Sequence, residues 1–584
     1  MSRFQSRLPS MQPEDRFDQR STEGPPTEST RELPGVSEGR LPWRLTRTNY
    51  QLIATVVESY SAVLPRGFVF PSRHALCRYV EGFFGGFHEH LPVIHIPTFT
   101  LATEAPELIL AIASVGARYR FQTSQSHHLY FAARALLEDQ LRHRDGYKPK
   151  APVFDIPGSF PTLPQLESTL LADAPPSHLQ NNHAPTSTER DLQTMHAMIL
   201  LIALGTWNDR SLLRDAFSTA SQLALLVREQ ISSLSEPDSQ HQSWREWIKS
   251  EGRRRTIFVA YCFLNLHSVA YNSSPKILNR EMGSLLLPSP ESHWRAESQE
   301  SWQLARDKDI HSGLSLEEAY SSLFNPDSSR RAASSFGNYV LVHCIIQHIF
   351  FARQLQFPSA TASSLAPGVL GRLDSVLKSW QLGWEATKDS SFDPSAPGGP
   401  LSFNATGLFR LAYIRLHIDL GPCRQLELRD PGTIARAFSN APLLERSASV
   451  ARAVLQCAHS LSIPVRIGVE FVARTQTLTW SIVHSLCNLE CGLFLGKWLQ
   501  TIAAVLKRGE PLRDDEQRLL GIITSIVNET ELCLQVQYEQ DQVQKISQVA
   551  AAVIRLWAHT FKGAHVFEIM GLIGAGLDLC ADML

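Results

Sequence analysis

Residues 244–272 read WREWIKSEGRRRTIFVAYCFLNLHSVAYN, and residues 285–302 read LLLPSPESHWRAESQESW. In the first stretch Trp247, Ile248, Gly252, Arg255, Val259, Cys262, Phe263 and Leu266 recur at three- and four-residue steps. That is the period of a helix with one face turned to a core. Glu246 and Glu251 stand among Arg245, Lys249, Arg253, Arg254 and Arg255, so opposite charges meet one helical turn apart. Asn272-Ser273-Ser274-Pro275 stops the helix after Tyr271. Leu285 to Pro288, with Trp294 and Trp302, reads as an irregular apolar strap. Three consecutive mid-helix arginines point in different directions and cannot present one flat basic surface. The pattern predicts that they pair with neighbouring carboxylates or stack on the tryptophans.

Outward from this helix the same period recurs. Tyr50–Leu64, Arg73–His90, Pro106–Tyr119, Gln125–Leu141, Asp191–Trp207 and Ser211–Ser233 read as helices before it. After it come Leu316–Leu323, Ser334–Gln356, Gly368–Thr387, Phe403–Leu420, Ser447–Ser462, Ile467–Leu506, Pro511–Val536 and Val543–Phe561, with a packed terminal helix from Val566. No strand-turn-strand signal and no fixed-period repeat interrupts them. The expectation is an all-α chain, an irregular multi-helix superbundle. Residues 1–45 are rich in Ser, Pro, Glu, Arg and Gln and poor in aliphatic residues, so they are expected to be disordered. A polar loop with eight prolines, 142–190, divides the first helical region, 46–310, and a second helical region, 311–584, continues the same body.

Composition narrows the function. A 584-residue chain with 43% hydrophobic residues can bury a large core. Its formal net charge of -2 lacks the basic footprint of a free-standing nucleic-acid binder. Nine dispersed cysteines, mostly inside apolar helical runs, suggest reduced thiols rather than a disulfide framework. The first twenty residues show no apolar core of a signal peptide, and the apolar run Met198–Leu204 is too short to span a bilayer. These features lead to the expectation of a soluble, intracellular protein without membrane contact.

The stretch F-G-G-F-H-E-H-L-P-V-I-H-I-P-T-F runs from Phe84 to Phe99 and includes Phe87, His88, His90, Pro92, His95, Pro97 and Phe99. The later stretch places Trp247, Glu251, Arg253, Arg254 and Arg255 on the helix, then Pro288 and Trp294 beyond the Asn-Ser-Ser-Pro break. Between them lies MHAMILLIALGTW, Met195–Trp207. In this order the three segments resemble the regulatory "middle homology" region of fungal-specific transcription factors, over about Cys77–Trp302. The resemblance implies a helical regulatory region across 46–310, a transcription regulator with a nuclear location, and no enzymatic activity. It implies partners among other transcription regulators, with homo- or heterodimers possible, and DNA contacted indirectly or through a separate module.

In that family a zinc cluster or paired zinc fingers precedes the middle region. Either needs four or more spaced Cys/His ligands, and no cysteine precedes Cys77. The expectation is therefore that these residues carry no cofactor, zinc belonging only to an upstream DNA-binding module if one exists. Two readings follow from the resemblance: a regulator of a pathway-specific gene set, such as a secondary-metabolite or nutrient pathway, or a DNA-binding-free partner or inhibitor of a zinc-containing relative.

Other motifs carry residue types that could do chemistry. His88, His90 and His95 lie within eight residues but lack a fourth ligand, and the reading is a packed, proline-rich corner. His484, Cys487 and Cys491 share one helix face that continues into Leu495, a core stripe. Gly571-x-x-Gly574-x-Gly576 follows no strand, so the setting of a phosphate loop is missing. An all-α enzyme that holds magnesium on aspartates is a remote alternative. Its nearest candidate, Asp514-Asp515-Glu516, lacks converging carboxylates.

Overall fold

The computed structural model describes residues 43–144, 187–234, 243–308, 313–325, 333–355, 365–420, 425–533 and 539–584. Among the described residues the chain is all-α, with twenty helices and no strand. The expected disorder of 1–45 and most of the Pro-rich loop at 142–190 fall on residues outside this set. The body itself begins earlier than the composition suggested: Leu45 is buried and the Trp43 ring lies against Phe84.

The first layer comprises α1 (Arg47–Glu58), α2 (Arg73–Gly82), α3 (Pro106–Tyr119), α4 (Thr123–Arg144), α5 (Ser187–Trp207) and α6 (Leu213–Ser232). Pro106 opens α3 at a position where its missing N–H costs nothing. The helix predicted for Arg73–His90 departs from regular α geometry after Gly82. Phe83–Phe87 forms a π turn and His88–His90 a 3-10 turn. The reason is a tertiary contact: a Cβ on Gly86 would stand 2.2 Å from the Tyr119 ring, so the glycine admits the aromatic edge of α3 and the chain bends around it.

Next comes α7 (Trp244–Tyr271), the longest helix among those described. Ser243 and Glu246 form a reciprocal cap at its start, and Asn272 closes it in the left-handed conformation, φ 51°. The strap after it holds two short helices, α8 (Glu291–Trp294) and α9 (Gln299–Lys308), and then α10 (Leu316–Ser322). A single bridge between Leu286 and Ser315 ties the strap to α10.

The second half comprises α11 (Ser335–Gln354), α12 (Pro367–Ala386), α13 (Leu401–His417), α14 (Pro431–Asn440), α15 (Ala448–Ile467), α16 (Val469–Thr479), α17 (Ile482–Lys507), α18 (Asp514–Asn528), α19 (Gln542–Thr560) and α20 (Glu568–Asp582). The single helix predicted for Ile467–Leu506 is two, because Trp480 and Ser481 are extended and Ser481 Oγ donates to Asn404 Oδ1 at 3.0 Å. The sequence reading missed α14, whose start is nevertheless marked: Asp430 accepts from the backbone N–H groups of Gly432 and Thr433, and Pro431 occupies the first turn.

Two helix pairs at the centre run parallel. Between α7 and α11, Tyr261 meets Cys344 and Asn265 accepts from Gln347. Between α13 and α17, Asn404 meets Ser481, Gly407 O accepts from Cys487, and Arg415 meets Glu490. In each pair the numbers rise together, so the chain must return by long crossovers, which the strap and α14–α16 provide. By length and composition α11 and α17 would pass for membrane spans. They are instead core helices, 78% and 83% of the relevant windows being buried within the body. One continuous apolar core runs from Leu45 to Ala581.

The tightest helix crossing is that of α2 on α3. A Cβ on Gly116 would lie 1.7 Å from the Tyr79 carbonyl oxygen, so only glycine lets the backbones touch. Gly116→Ala is expected to cost about 3 kcal/mol in chemical denaturation. Gly85→Ala, in open space, should change stability by less than about 1 kcal/mol. Equal behaviour of the two variants contradicts this packing.

Candidate functional site

The quoted helix and strap converge on one buried guanidinium. Arg255 is fully buried. Its Nε donates to Glu251 Oε1 at 2.9 Å, Nη1 to Glu291 Oε1 at 2.6 Å, and Nη2 to the Ser289 carbonyl at 2.9 Å. Glu251, one turn earlier and also buried, accepts from Arg254 at 2.7 Å and from the Ser289 backbone N–H at 2.9 Å. Burial pushes the Glu251 carboxyl up, but Arg254 and Arg255 outweigh it and hold the group below the ordinary carboxylate range. The Trp294 ring covers the guanidinium 4.6 Å from its carbon, and Phe336 lies on it at 5.6 Å.

The other residues singled out in the sequence divide around this centre. Trp247 packs on Trp294 and Trp302, with ring centroids 6.3 and 5.4 Å away. Arg253 leaves the centre altogether: it donates to the Gln230 carbonyl at 2.8 Å and to Ser233 Oγ, so it fastens α7 to α6. Pro288 is buried, and its carbonyl accepts from Ser334 Oγ at 2.6 Å, ahead of α11. From the first motif only His95 reaches the centre. Its ring meets Trp294 edge-on at 4.8 Å, and its Nδ1 shares a hydrogen bond with Thr98 Oγ1 at 2.8 Å.

His88 folds the corner, its Nε2 accepting from the Ile94 N–H at 3.1 Å. Around it Phe87 packs on Phe83 and Tyr119, and Phe99 on Phe84. Pro92 is buried and Pro97 sits in the short turn Ile96–Thr98. His90 turns the other way, to Asn404 of α13 at 3.2 Å. The three histidines therefore serve three different contacts. Among the described residues no group of three or more His, Cys, Asp or Glu is placed to hold a metal ion.

Further buried charges, which the sequence reading passed over, join distant parts of the chain. Arg118 of α3 donates through Nε to the Val566 carbonyl at 2.5 Å and through Nη2 to Glu568 at 3.3 Å. Arg415 of α13 pairs with Glu490 of α17 at 2.6 and 3.2 Å and donates to the Val269 carbonyl of α7 at 2.7 Å. Their signal was available: each is a charge inside a largely apolar helical run, which is rare unless the charge is paired.

Helices knitted around buried ion pairs, with the motif residues packed into the core, define an all-α body. Residues 80–367 match the fungal specific transcription factor domain, and residues 419–579 match the fungal transcription factor C-terminal domain. The chain belongs to the family of fungal-specific transcription factors, and it is a transcription regulator. No curated protein and no solved structure matches it.

Removing one member of the central cluster leaves the others buried without compensation. Arg255→Met is expected to cost about 3–5 kcal/mol of stability, measured by denaturant unfolding. A loss below about 1 kcal/mol would contradict the geometry. Acid should act on the corner. Burial lowers His88 to about 3 and His90 and His95 to about 4. Their folded values lie below the unfolded one, so the stability they contribute is complete above pH ~6.5 and is lost as pH falls toward 4. Glu104, raised to about 7 by burial, works in the opposite sense, being stabilising only while protonated. The histidines outnumber it, so the melting temperature should fall from pH 6.5 to 4, and less steeply in His95→Phe. An unchanged slope in that variant refutes the assignment.

Proposed function

We propose that this chain regulates a pathway-specific set of genes, its helical body acting as one unit that presents or masks an activating surface. The observation that carries the reading is the pairing of Arg118, inside the first matched segment, with Val566 and Glu568, inside the second. A change at either end is thereby coupled to the other through a buried hydrogen bond and a partly exposed ion pair. The near-neutral charge and the lack of cysteine before Cys77 favour a DNA contact supplied by a zinc-bearing module or partner rather than by the helical body. The same observations support a second reading, a partner or inhibitor of a zinc-containing relative, active as a homo- or heterodimer in the nucleus.

The test joins the whole chain to a heterologous DNA-binding domain over a reporter gene, beside a transcript profile of a strain lacking the protein. The expected results are altered reporter output, which Arg118→Met changes, and a coordinated shift in a small gene set. A silent fusion with an unchanged profile overturns the first reading. A silent fusion that captures a zinc-containing relative and dampens its promoter supports the second.

A further inference from the structure

Helices α4 and α6 both pack on α5, and ion pairs link them across it. Arg134 of α4 donates through Nε to Glu138 Oε1 at 2.9 Å and through Nη1 to Asp215 of α6. Farther along α4, Arg144 reaches Glu229 of α6. The trough between the two helices holds a cleft of about 310 Å³. That volume lies at the lower end of the range in which proteins hold small molecules, and a dry cavity of about 150 Å³ already takes benzene.

The cleft has two unlike sides. Leu137 and Leu141 of α4, with Leu201 and Ile202 of α5, form an apolar floor and wall. Leu137, Leu201 and Ile202 are at most 3% exposed, so the floor is fixed in the core. The opposite side, from α6, presents Ser218, Thr219 and Gln222. The Thr219 hydroxyl donates to the Asp215 carbonyl at 3.0 Å, which leaves its oxygen free to accept. Among the described residues the side chains of Ser218 and Gln222 make no hydrogen bond.

The charges lining the cleft balance. Arg134 and Arg142 stand against Glu138 and Asp215, Arg142 lying 3.8 Å from Glu138. An ionic ligand would have to displace one member of an existing pair, whereas an uncharged one leaves every pair intact. An apolar floor beside idle hydrogen-bonding groups suits a molecule that is itself two-sided.

We propose that this cleft binds an uncharged, flat amphiphile of the size of a two-ring aromatic alcohol. Its rings lie over Leu137, Leu201 and Ile202, and its hydroxyl meets the polar side chains of α6. Burial of the rings supplies most of the affinity, and the hydrogen bond sets the orientation. The inference rests on the cleft alone and stands apart from the regulatory reading, since it is measured on the chain in solution without any promoter.

The experiment titrates the full chain by calorimetry with 2-naphthol, whose phenolic group is uncharged at pH 7. The control is 2-naphthoate, which has the same rings and carries a charge. Saturable binding of one 2-naphthol per chain is expected, with 2-naphthoate at least about tenfold weaker. Leu141→Glu, which sets a further carboxylate on the apolar wall, should weaken 2-naphthol about tenfold or more. Ser218→Trp, at an exposed position on the polar side, fills the mouth and should weaken it at least as much. Both positions lie at the edge of the cleft, so far-UV circular dichroism of the two variants should match the parent. Binding that does not saturate, 2-naphthoate binding as tightly as 2-naphthol, or undiminished affinity in both variants overturns the proposal.

Discussion

The burial of Arg255 is the constraint on which the described architecture turns. A guanidinium with no exposed surface demands carboxylates and carbonyls from several directions, and only a particular chain path supplies them. Glu251 comes from the preceding turn of the same helix, but Glu291 and Ser289 come from the strap. The strap must therefore fold back along the helix, which brings Trp294 over the charge and His95 against Trp294. Such a cluster contributes little net stability compared with an apolar core, yet it is strongly unfavourable to break. Its consequence is specificity of path, and it fixes α7 against the strap and, through Phe336, against α11.

The same device recurs at longer range. Arg118 reaches Glu568 of α20 across 450 residues of sequence, and Arg415 joins α13, α17 and α7. The aromatic edge of Tyr119 adds to the first of these by meeting both Phe87 and Phe567. The segments matched to two families are thus parts of one packed object. The start of α20 therefore packs on the end of α3 that also borders the motif-bearing corner.

Much of the fold was legible because helical periods are local. The bounds of α7 could be read from Trp244 and from the Asn-Ser-Ser-Pro break, and those of α3 from Pro106. What escaped was set by tertiary contact. The π turn at Phe83–Phe87 exists because Tyr119 presses on Gly86, and the break at Trp480–Ser481 accompanies the Ser481 contact with Asn404. Neither partner is near in sequence. The spacing of Glu251 and Arg255 suggested their pairing, while Glu291 could be joined to them only once the strap's path was known. Arg118, Arg415 and Glu490 illustrate a signal that was present and unused: a charge in a largely apolar helix implies a contact without naming the partner.

The central claim is that the two matched segments form one cooperative body. Hydrogen exchange followed at increasing denaturant addresses it most directly, because it resolves the opening of separate helices within the native chain. The account predicts that the slowest amides of α3 and α7 and those of α17 and α19 converge on one global unfolding. Exchange of α17–α20 through a separate opening at lower denaturant, with α3 and α7 still protected, would contradict it.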